Sequence, residues 1–189
     1  DAEYTYKLWM AHGITTVRGV ALGPTEWALN EKKRSAKNEI VAPRIYVYDR
    51  PGNGADWKGG PINDPETAKK WVRYAKKKGI DGLKLTSPRP KIMKALLEEA
   101  NANKMGSVAN LEQKGVAEMN LIDAARLGLK NQTHFYGLFE ALYKNNDVQP
   151  WPYDMNYNNE QHRFGQVARQ WNLIHKRGSS EWNSLINEL

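Results

Sequence analysis

The sequence predicts an α/β fold in which parallel strands are joined by crossover helices. Three observations carry that prediction. Short β-branched or apolar segments alternate with amphipathic segments from residue 14 to residue 136. Helix punctuation falls between them, with Asp64–Pro65 at a start and Gly13, Gly79 and Gly128 at stops. Polar residues also sit late in the strand-like segments, where parallel α/β folds collect reactive groups.

Residues 2–12 read as a helix ending at the cap glycine Gly13. Residues 14–20, ITTVRGV, are β-branched and short, as in a buried strand. A helix is expected around Glu26–Ser35, and a strand over Pro43–Tyr48. The stretch RPGNGADWKGGPIN, rich in glycine and proline, is a long loop, and long loops in compact domains are often functional. Asp64 offers an N-cap and Pro65 the first helical position. Ala68, Trp71, Val72 and Ala75 then form an apolar stripe at helical spacing. Next come a strand over Asp81–Thr86, a helix over Pro90–Lys104, a strand over Gly106–Leu111, a helix over Gly115–Leu127 and a strand over Asn131–Tyr136. From about Gly137 the pattern changes. A helix is expected near 137–146, then an aromatic and polar loop, VQPWPYDMNYNNEQ, then a helix near 160–175.

Composition narrows the class. The chain has 189 residues, 26% charged and 40% hydrophobic, enough for a packed domain and unlike a disordered segment. No apolar run approaches a membrane span. The absence of cysteine excludes disulfides and thiolate metal sites. The net charge is +7, but Lys69, Lys70, Lys76, Lys77 and Lys78 fall on polar helix positions, so a solvated face is favoured over a nucleic-acid surface. The chain begins at Asp1 without a signal-peptide pattern, which suggests processing or excision from a longer precursor. No phosphate-binding glycine motif and no nucleophile elbow is present.

Arg18, Lys84, Asn110 and His134 are the polar residues late in the strands. Lys84 lies between Leu83 and Leu85, so its ammonium must pair with a carboxylate or lose proton affinity on burial. Pairing is the reading the position alone favours. A lone strand histidine such as His134 is more often structural than a ligand, yet Lys84 occupies the comparable end of another strand. His12 reads as a helix cap, and His162 and His175 as surface or packing residues.

In order along the chain, HGITTVR, APRIYVY, GIDGLKL, EEANANK, GSVANLEQKGVAEMNLIDAARLG and THFYG resemble the amidohydrolase superfamily, closest to its imidazolonepropionase-like and prolidase-like hydrolases. The resemblance spans roughly residues 4–142. It implies a (β/α)8 TIM barrel, here about its second to sixth strands, with a divalent metal centre, usually zinc. It places Lys84 at the bridging, often carboxylated, lysine, His134 at the sixth-strand histidine and Asn110 at the fifth-strand histidine position. An amide is a poor ligand for zinc-like metals. The H-x-H pair of the first strand and the eighth-strand aspartate have no counterpart here. The resemblance therefore implies a portion of a hydrolase that cleaves C–N bonds in small-molecule or peptide-like substrates, impaired as an isolated chain. The other reading is a non-catalytic binding module derived from such an enzyme. Residues 1–142 are expected to form the partial barrel, and 143–189 a loop and helical insertion packed on it. A complementary chain completing the barrel is a further expectation.

Overall fold

A computed structural model describes residues 2–20, 23–116, 118–144 and 151–189. Helix α1 (Ala2–Ala11) leads into strand β1 (Thr16–Val20), followed by α2 (Thr25–Ala36) and β2 (Arg44–Asp49). The long loop then runs to α3 (Pro65–Lys78), β3 (Gly82–Thr86), α4 (Pro90–Ala102) and β4 (Gly106–Asn110). Two short helices, α5 (Glu112–Gly115) and α6 (Leu121–Arg126), precede β5 (Asn131–Gln132). Helix α7 (Glu160–Arg169), a 3-10 turn at Gln170–Asn172 and α8 (Ser180–Glu188) follow.

The strands form one curled five-stranded sheet in the order β1-β2-β3-β4-β5, every pairing parallel. Each crossover therefore returns the chain to the same end, so the C-terminal strand ends share one rim. The two faces differ along β2. Ile45, Val47 and Asp49 are buried, whereas Arg44 and Tyr46 are exposed and Tyr48 is half-buried. The buried face packs against helices. The α3 stripe of Ala68, Trp71, Val72 and Ala75 is buried, as are Met93, Leu96, Leu97 and Ala100 of α4. Burying such side chains contributes about 1.5–3 kcal/mol each for the larger ones.

On the other face, glycine makes room for an aromatic ring. A Cβ at Gly82 or Gly106 would run into the Tyr48 ring or its hydroxyl. Tyr48 can therefore lie across the start of β3 and β4.

The helix α3 starts and stops as its sequence predicts. Asp64 accepts a hydrogen bond from the Thr67 amide at 2.9 Å, and Gly79 caps the end at φ 90°. Three expectations are corrected. The single helix over Gly115–Leu127 is two pieces, because Asn120 and Asp123 form a capping box that starts a new helix. The strand over Asn131–Tyr136 ends at Gln132, since His134 takes a left-handed backbone at φ 65°, which no strand residue adopts. Residues 137–142 form turns rather than a helix, and 145–150, including the start of the aromatic loop, lie outside the described residues. Tyr143 bridges antiparallel to Ile174, and Val167, Ile174 and Leu185 join the same apolar cluster as the sheet. Among the described residues, no helix is long and apolar enough to cross a membrane.

Candidate functional site

Lys84 sits at the third position of β3, in register with Val108 of β4, and is 7% exposed. Its side chain reaches across β4, and its Nζ donates to the Thr133 hydroxyl at 2.8 Å. That hydroxyl in turn donates to the Ala109 carbonyl at 3.1 Å, so its own proton is used and it faces the amine as an acceptor. The carboxylate partner that the position suggests is not found: among the described residues, no acidic group lies within ion-pair distance of Lys84. Burial, and then the positive charges of Arg50 and Arg18, push its pKa below the ordinary lysine range. The neutral amine is correspondingly more accessible than on a surface lysine.

Arg18 and Arg50 approach this amine from the two preceding strands. Arg18 lies in β1, in register with Tyr46, and its guanidinium stacks over the Tyr48 ring at 5.1 Å from the centroid. Arg50 follows β2 directly, and both arginines are exposed. Among the described residues neither forms a salt bridge. The loop after Arg50 is held by Asp49, which is buried and accepts from the Thr25 hydroxyl, the Arg50 amide at 2.7 Å and the Asn53 amide nitrogen at 2.7 Å. A cleft of about 230 Å³ opens beside Lys84 over the end of β3. Its lining includes the polar Arg50, Lys84 and Thr86 and the apolar Pro51, Ile62 and Ile92.

Asn110 and His134 occupy the same rim but are turned to different uses. The Asn110 side-chain oxygen accepts from the Glu112 amide at 3.3 Å, and its carbonyl accepts from the Ser87 amide at 3.2 Å. The first contact is a local turn, so this oxygen has a structural task. His134 lies two residues beyond β5, exposed, with its ring 6.5 Å from that of Tyr136. The rim also concentrates unusual backbone. Ser87, Glu112 and His134, which follow β3, β4 and β5, have φ of 38°, 49° and 65°. Non-glycine residues held in this region cost free energy and cluster at functional sites.

The sequence pointed to Lys84, Asn110, His134 and Arg18, and all four are at or near this rim. It missed Arg50 and Thr133. Arg50 carried a readable signal, a charged residue immediately after a strand. Thr133 did not, because its role depends on a contact spanning 49 residues. His12 is exposed just past α1, and the His175 Nδ1 lies 3.5 Å from Glu181. Both are remote from the rim in sequence role and in partners.

Of the residues at this rim, the exposed His134 imidazole is a donor type suited to a divalent metal. Asn110 does not fit, because its oxygen is engaged by Glu112. Among the described residues, no group of three or more histidine, aspartate or glutamate side chains is placed to hold a metal ion. No protein-family model matches the sequence, and no curated protein matches it.

Proposed function

We propose that the chain is the central portion of a metal-dependent amidohydrolase barrel, about strands two to six of a (β/α)8 TIM fold. The parent activity is hydrolysis of a C–N bond in an amide, cyclic amide or peptide-like substrate. One observation carries this reading above the others. A buried strand lysine, with lowered proton affinity, meets the hydroxyl of Thr133 beside His134 instead of a carboxylate. The parallel curled sheet, with open edges at β1 and β5, supports the barrel part of the reading. Unpaired strand edges call for cover, so a further segment or a complementary chain is expected to continue the sheet there.

The Lys84 nitrogen, when neutral, can add to the carbon of dissolved carbon dioxide. An N–C bond forms, one proton passes to solvent, and the product is a carbamate whose single negative charge is shared between two oxygens. Thr133 positions that nitrogen, and His134 supplies an imidazole just beyond β5, across β4 from the lysine's strand. Carboxylated Lys84 and His134 would supply two of the ligands of a divalent cation, zinc by the donor set, and the chemistry such a cation would bring when bound is polarisation of an amide carbonyl. Remaining ligands would come from residues outside the five strands.

A non-catalytic binding module of the same descent is favoured by one specific feature, the engagement of the Asn110 oxygen with Glu112. The two readings separate experimentally. Zinc affinity and hydrolysis of a panel of amides and dipeptides are measured for the chain and for Asn110→His. The hydrolase reading expects weak zinc binding in the chain, tightened at least about ten-fold by the added imidazole. Unchanged zinc affinity in N110H favours the binding module. Tight stoichiometric zinc with fast turnover by the unaltered chain would contradict the incompleteness of the site.

A further inference from the structure

Electrostatics at the rim is one-sided. Arg18, Arg50 and Lys84 come from β1, the end of β2 and β3, three consecutive strands of the sheet. Arg50 and Lys84 line the same cleft, and the Arg18 guanidinium lies over the Tyr48 ring, which packs against Gly82 two residues before Lys84. None of them pairs with a carboxylate among the described residues. Elsewhere on the molecule, several cations do find acids. Lys32 bonds Asp81 at 2.7 Å, Arg34 bonds Glu3 at 2.7 Å and Arg73 lies 3.2 Å from Glu99. Three like charges gathered without an acid are costly to the fold. A bound anion would remove that cost.

The adjoining cleft adds shape to charge. Its 230 Å³ is lined by Arg50, Lys84 and the exposed Thr86 together with the apolar Pro51, Ile62 and Ile92. Arginine guanidinium groups present paired donors that match the geometry of carboxylate and phosphate oxygens. The apolar wall suits a short hydrocarbon body attached to such a headgroup.

We propose that Arg18, Arg50 and Lys84 form a binding site for a small oxyanion carried on an apolar body, a carboxylate or a phosphate ester. The headgroup sits among the three cations, with the Arg18 guanidinium held in place by the Tyr48 ring. The body lies against Pro51, Ile62 and Ile92. This inference concerns the metal-free chain and stands apart from the hydrolase reading.

The test uses the full chain in the presence of a chelator, so that metal plays no part. Binding of hexanoate, acetate, hexanol and hexyl phosphate is measured by calorimetry at fixed ionic strength. Hexanoate or hexyl phosphate is expected to bind at least about ten-fold more tightly than acetate, through the added hydrocarbon, and than hexanol, through the charge. A preference for hexyl phosphate assigns the phosphate ester, and a preference for hexanoate assigns the carboxylate. Arg18→Gln and Arg50→Gln, both at exposed positions, are each expected to weaken the preferred anion several-fold without loss of folding. Hexanol binding as tightly as the anions, no binding of either six-carbon anion, or unchanged affinity in both variants would overturn the proposal. Because zinc is excluded, these outcomes leave the metal reading to its own test.

Discussion

Replacing Lys84 by methionine isolates the energetic argument about the rim. Methionine keeps the unbranched stem and removes the charge. The variant loses the hydrogen bond to Thr133, worth about 1 kcal/mol. It leaves no orphaned donor behind, because the Thr133 hydroxyl still donates to the Ala109 carbonyl at 3.1 Å. In exchange, it removes an ammonium that is 7% exposed and repelled by Arg50 and Arg18. Partial desolvation with incomplete compensation, together with those repulsions, costs about 2 kcal/mol. The net expectation is that Lys84→Met is more stable by about 1 kcal/mol at pH 7, a rise of about 2–4 °C in Tm for a chain of this size.

The pH dependence sharpens this prediction. The folded-state pKa of Lys84 is depressed, so the unfolded chain binds more protons between that value and about 10.4. Wild-type stability should therefore gain from this group as pH rises through the window. Below it the penalty is fully present, and above about 10.4 it is gone. Lys84→Met has no such gain, so its advantage should shrink as pH rises toward 10.4. Urea denaturation of both proteins at several pH values measures the difference. A variant less stable than wild type by more than about 1 kcal/mol at pH 7, or an advantage independent of pH, would refute the reasoning.

Other perturbations test the frame around the rim. Trp71→Ala removes a fully buried ring from α3 and its 2.9 Å hydrogen bond to the Asn53 carbonyl, and should cost about 3–5 kcal/mol in denaturant unfolding. Asn120→Ala removes the capping box of α6 and should cost about 1 kcal/mol, read in the same assay. His134→Gly relieves the left-handed backbone and should stabilise by about 0.5 kcal/mol after the added chain entropy. A destabilised H134G would mean that the imidazole makes a packing contribution larger than its exposure allows.

The legibility of the fold varied with the range of the forces involved. Helix α3 was readable because its signals are local: Asp64, Pro65, Gly79 and the apolar stripe all act within a turn or two. Strands β1 to β4 were readable to within two residues at either end for similar reasons. The break between α5 and α6 was also written in the sequence, in the spacing of Asn120 and Asp123, but helical periodicity masked it. The early end of β5 was not legible. Its residues favour a strand, yet the Gln132 side chain folds back to donate to the Tyr136 carbonyl while His134 turns left-handed. At the site, strand position identified Lys84. Its Thr133 partner and its two repelling arginines lie in or just after other strands, and composition gives no signal for such contacts. The one-sided charge around Lys84 thus emerged only from the fold.

The central claim is that Lys84 is an activated amine at the edge of a metal site. Carbon-13 NMR of the chain in labelled bicarbonate, with and without zinc, tests it most directly. The account predicts a carbamate resonance that strengthens with zinc and is missing from Lys84→Met. No carbamate resonance under either condition, or one that persists unchanged in K84M, would contradict it.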